Sequence, residues 1–134
     1  MCQRNNILKN TGDHEMVVFK LVLPNGSSRW LTPFMRRPLE EGVQYDGGNR
    51  DIKYTKTKNR ISKGYFHCYE TYLDALNGRS QARYIGALCL IVKCIVPPHT
   101  AYYEGTYEFT NDKTLAVRSI IIDKVVFSNE EAER

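Results

Sequence analysis

Residues 87–96 read Ala-Leu-Cys-Leu-Ile-Val-Lys-Cys-Ile-Val, and Pro97-Pro98 follow at once. Both alternating sets of positions are apolar, with Lys93 the one charge. A strand with a wet face alternates polar and apolar, so a strand apolar on both sides belongs in the middle of a covered sheet. The run falls far short of the roughly 20 residues a membrane-crossing helix needs. It therefore predicts a central strand, ended by the diproline.

Partners for that strand lie on either side of it in sequence. Met16 to Leu23 is apolar and β-branched, and Pro24-Asn25-Gly26-Ser27 supplies the turn chemistry of a hairpin returning through Ser28-Arg29-Trp30-Leu31. A further strand is expected from Leu115 through Phe127, and another over Ile61 to Cys68, closed by a turn. Thr32 to Lys63 carries Pro33, Pro38, Gly42, Gly47 and Gly48, as in an irregular connection with short strands. Tyr69 to Asn77 is the helix candidate: Tyr69, Tyr72, Leu73 and Leu76 recur at helical spacing, with Gly78 as a C-terminal stop. One short helix needs a sheet to pack on. The expected fold is a single α+β domain over residues 15–127, a curved, mostly antiparallel sheet with the helix on one face. Residues 1–14 read as a flexible polar leader without the apolar stretch of a secretory signal, and 128–134 as an acidic tail.

At 134 residues, 42% hydrophobic and 25% charged, the chain has the composition of one globular domain. Its formal net charge is +4. That charge is concentrated: Arg50, Lys53, Lys56, Lys58, Arg60 and Lys63 stand against Asp51 alone, a local +5, and the other 120 residues carry −1. Tyr54 lies within this segment. Cations interleaved with aromatics suit phosphates and bases, and lysines on an edge strand equally serve to discourage aggregation.

Cys2, Cys68, Cys89 and Cys94 form no Cys-x-x-Cys pair, and Cys89 and Cys94, five apart on a strand, point to opposite faces. They read as reduced, buried thiols in a cytoplasmic protein, and no metal site is expected. No phosphate loop, dinucleotide fingerprint, zinc-protease motif or serine elbow occurs. Candidate chemistry rests on Tyr65 and His67 in Gly64-Tyr65-Phe66-His67-Cys68, and on the loop after the central strand. That loop offers His99, Tyr102, Tyr103 and Glu104, with Glu108 beyond.

Phe19-Lys20, Thr32-Pro33, Glu41-Gly42-Val43-Gln44-Tyr45, Gly64 to Cys68 and Asp74-Ala75 follow one another in an order that resembles a loose group of small phage and large-virus proteins. The resemblance implies a small viral or phage-type accessory protein of the host-cell interior and brings no activity with it. The lack of a catalytic constellation, the concentrated basic segment and the aromatics point to a protein that binds and inhibits an acidic host or defence component, either a protein or a nucleic acid, without a cofactor or a membrane. Gly64-Tyr65-Phe66 leading into a helix, with a later glutamate, also resembles ADP-ribosyltransferase folds. That second likeness implies NAD as cofactor, Tyr65 stacking on nicotinamide and Glu104 or Glu108 as the catalytic acid. Val17 to Leu23, however, has neither the His nor the Arg with which those enzymes hold NAD.

Overall fold

A computed structural model describes residues 3–33, 37–47, 65–81, 88–107 and 113–128. In chain order these form β1 (Gln3–Asn10), β2 (Met16–Pro24), β3 (Arg29–Leu31), β4 (Pro38–Glu40), β5 (Gln44–Asp46) and β6 (Phe66–Cys68). Helix α1 (Tyr72–Gln81) follows, then β7 (Leu90–Val96), β8 (Ala101–Tyr107), β9 (Lys113–Val117) and β10 (Ser119–Phe127). Residues 48–64, which hold the basic segment, lie outside the described residues, as do Cys2, Glu108 and most of the expected tail.

The central strand of the sequence is β7. It lies between β2 and β10, antiparallel to both, in a six-stranded sheet of order β4-β3-β2-β7-β10-β5. Both of its faces are covered. Val92, Cys94 and Val96 share one face with Val18 and Val22 of β2 and Ile120 and Ile122 of β10. Ile91 faces the other way, with Phe19, Leu21 and Phe127, and there α1 lays Ala75, Tyr72 and Leu76.

The expected single curved sheet is two sheets. Phe66, Cys68, Leu115 and Val117 belong to a second, four-stranded sheet of order β1-β8-β9-β6, and they close the core opposite β2, β7 and β10. The helix covers one face of the six-stranded sheet, so the other face, equally apolar, requires a second layer. The expected strand from Leu115 to Phe127 supplies the change of sheet. It breaks at Arg118, whose N–H donates to Ala101 O at 3.1 Å, so that β9 lies in one sheet and β10 in the other. A second join is an isolated bridge between Phe19 and Tyr69, each N–H donating to the other's carbonyl at 2.8 and 2.7 Å.

Two further expectations change. Residues 3–10 are not a loose leader but β1, paired along β8. Backbone pairing needs no apolar side chains, and the polar Gln3 is itself buried: its amide donates to Tyr103 O and accepts from the Thr114 hydroxyl at 2.8 Å. The loop beyond is tied to the β7–β8 turn, where Thr11 Oγ1 donates to Pro97 O and accepts from Thr100 N, both at 2.9 Å. The helix, expected over Tyr69 to Asn77, starts and ends later. Thr71 Oγ1 accepts from Asp74 N at 3.1 Å, an N-cap that sets the start. That phase buries Ala75 and leaves Leu73 69% exposed. Gly78 is inside the helix rather than a stop. A Cβ there would lie 2.2 Å from Tyr69 Oη, so glycine is required by close packing. The β2–β3 hairpin forms as expected around Asn25-Gly26, with Gly26 at φ 105°.

Candidate functional site

β6 alternates its side chains across the four-stranded sheet. Phe66 and Cys68 point into the core, and His67 points outward beside Ala116 and Tyr103, in register on β9 and β8. The outward face is aromatic. The His67 ring lies 5.1 Å from that of Tyr69 and 6.0 Å from that of Tyr107, and Tyr65 stacks obliquely on Tyr103 at 5.6 Å. His67 Nε2 is closed off from water and has no hydrogen-bond partner.

Beneath it, Lys20 extends from β2 on the same face as Val18 and Val22. It is 4% exposed, and its Nζ donates to the backbone carbonyl of His67 at 2.9 Å. Burial lowers the His67 pKa to about 3, and Lys20 pushes the same way. The imidazole is therefore neutral at physiological pH. Burial also raises the Cys68 thiol to about 11, against the opposing pull of Lys20, and raises Cys94 well above the ordinary thiol value. Protonated, enclosed thiols of this kind are poor nucleophiles. The three described cysteines, Cys68, Cys89 and Cys94, are buried.

A second polar group forms where β1, β8 and β9 run past the edge of the core. Glu104 is held between Lys9 and Lys113, and Lys113 also pairs with Glu70. The hydrogen bonds from Lys113 and Lys9 hold the Glu104 carboxyl below its ordinary pKa, and Glu104 in turn raises that of Lys113. Met16, Tyr102 and Leu115 complete the walls of a shallow depression here. Its void of about 260 Å³ includes open solvent, so the space these walls enclose falls well short of the roughly 300–1,000 Å³ of pockets that bury small ligands.

The sequence candidates thus divide. Tyr65, His67 and Tyr103 come together on one face of the sheet. Glu104 and Tyr102 occupy the opposite face, in register with Leu115 and Val117. The ring and the acid that an ADP-ribosyltransferase would use are separated by the sheet, and Glu104 is an ionised, doubly paired carboxylate. His99 stands apart at the β7–β8 turn, at φ 57° and 3.4 Å from Asp13. Glu108, Arg50, Lys53, Tyr54, Lys56, Lys58, Arg60 and Lys63 lie outside the described residues.

The sequence reading passed over Lys20, Lys9 and Lys113. Lys20 had a visible signal: it occupies the same alternating set as Val18 and Val22, a lysine at a core position. No comparable signal marks Lys9 or Lys113, whose pairing depends on which strands become neighbours. No protein-family model matches the chain, and neither the curated proteins nor the solved structures contain a match to it.

Proposed function

We propose that this chain is a small accessory protein of viral or phage type that acts by binding. Its target is an acidic host or defence component, a protein or a nucleic acid, inhibited inside the cell through Arg50 to Lys63 and the aromatic residues next to them. One observation carries the reading: how charge is distributed along the chain. Among the described residues, Glu104 takes Lys9 and Lys113, Glu40 takes Arg29, and Asp123 takes Lys93. The segment from Arg50 to Lys63 has six cations and one acid, and it leads directly into Tyr65 at the aromatic face. A concentration of charge of one sign steers an opposite partner, and the attraction is screened by salt.

The test is a pull-down from host lysate at low and high salt, together with titration of labelled single-stranded and duplex oligonucleotides. The Lys53→Glu/Lys56→Glu/Lys58→Glu variant is run alongside. Binding at least about tenfold weaker in the variant, and weaker in high salt, is expected. Undiminished, salt-independent capture by the variant rules the basic segment out. The oligonucleotide arm separates a nucleic-acid target from a protein one.

A further inference from the structure

We propose that the seam joining the two sheets, Phe19-Lys20 against His67-Cys68-Tyr69, is an acid-sensitive latch, closed while His67 is neutral and released when His67 takes a proton. β6 is the last strand of its sheet and pairs with β9 over only three residues. Its other side is held by the reciprocal Phe19–Tyr69 hydrogen bonds and by Lys20 Nζ on the His67 carbonyl. The half-buried His67 ring is poorly placed to carry a charge. Nε2 is buried without an acceptor, and Lys20 from β2 is a buried cation bonded to the same residue. Among the described residues, the neighbouring titratable groups are the phenols of Tyr69 beside the strand and Tyr107 on β8; β9 presents Ala116 and Thr114, neither of which titrates. Among the described residues no carboxylate is ion-paired with either His67 or Lys20.

Opening the seam relieves this by hydrating the imidazole, and it uncovers Cys68 and Cys94, which are fully buried when it is closed. With His67 near 3 when closed and at its ordinary 6.5 when exposed, the open fraction grows roughly thirtyfold between pH 7.5 and pH 5.

Two measurements on the full chain test this. One is labelling of Cys68 by a dithiodipyridine, which reacts in acid, scaled to a free peptide thiol and read by mass spectrometry. The other is hydrogen exchange at the Phe19 and Tyr69 amides, corrected for intrinsic rates. Both should accelerate about thirtyfold from pH 7.5 to pH 5 while far-ultraviolet circular dichroism holds steady. The acceleration should vanish in His67→Phe. If that variant does not fold, His67→Gln, which likewise takes up no proton, is the substitute, and the acceleration should vanish there too. Acceleration undiminished in the variant used, none in the wild type, or release only together with global loss of circular dichroism would each overturn the latch.

Discussion

Glu104 and His67 belong to one four-stranded sheet and are opposites in how the fold treats a polar group. Glu104 reaches the rim of the inner face, where two lysines donate to it and solvent is near; it stays ionised, and its charge is used. His67 is half-buried on the outer face among aromatic rings, with a buried lysine below and no acceptor for Nε2; its charge is suppressed. Burial of a polar atom costs little when partners replace water, and much when they do not. Position in the sheet is similar for the two residues, but the company is not. The rim group should tolerate change, and the enclosed one should govern how the protein responds to acid.

The largest effect that can break this contrast is on stability against pH. Well above pH 6.5 His67 is neutral in both folded and unfolded chains, and its contribution to stability is fully present. As pH falls, the unfolded chain takes up a proton that the folded chain refuses until about pH 3. The free energy of unfolding should therefore decline by about 1.4 kcal/mol per pH unit across that window, roughly 4–5 kcal/mol in all. Urea titrations at pH 7.5, 5.5 and 4.5 should show this decline in the wild type and a much flatter profile in His67→Phe. An equal slope in both would mean that His67 is as well accommodated as Glu104.

How far the sequence reveals these places depends on the range of the interactions. The central strand, the Asn25-Gly26 hairpin and the exposure of His67 to question were all legible, because period-two patterning and turn chemistry are local. The helix was found but out of phase. Tyr69 fits the helical spacing with Tyr72 and Leu76, yet it is recruited by Phe19, fifty residues earlier, into the seam between sheets. The change of sheet at Arg118 and the conversion of the polar leader into β1 are likewise decided by strands distant in sequence. So is the placing of two candidate residues. Glu104 and Tyr65 look like partners along the chain, but alternation places them on opposite faces once β8 and β6 are both paired to β9.

A smaller effect probes the seam from the helix side. Gly78→Ala places a methyl where Tyr69 Oη, Cζ and Cε1 already lie, the last at 3.0 Å. Alanine favours the helix by about 1 kcal/mol over glycine. The ring, buried and anchored through its backbone to Phe19, must still move, and such overpacking costs about 1–3 kcal/mol. Net destabilisation is expected, with faster exchange at the Phe19 and Tyr69 amides than elsewhere in the sheets. A stabilised variant with an unchanged seam would show that Tyr69 yields freely, leaving His67 less tightly enclosed than its counterpart on the rim is paired.

The smallest effect concerns Glu104 itself. Glu104→Gln keeps the shape and removes the charge between Lys9 and Lys113, a partly exposed arrangement in which each ion pair is worth roughly 0.2–1 kcal/mol. Because the folded-state pKa of Glu104 is lowered, its contribution is present above its ordinary value of 4.5 and fades as pH falls through the folded value. The variant should thus differ slightly from wild type at pH 7 and converge with it only below pH 4.5. His67→Phe, by contrast, diverges from wild type already below 6.5. Salt separates the pair further: screening should shrink the Glu104→Gln difference and leave the His67 slope almost intact, since only the rim charges face water. If the two variants instead bent the stability profile in the same pH window with the same salt response, one electrostatic unit would span the sheet, and its two faces would not be independent.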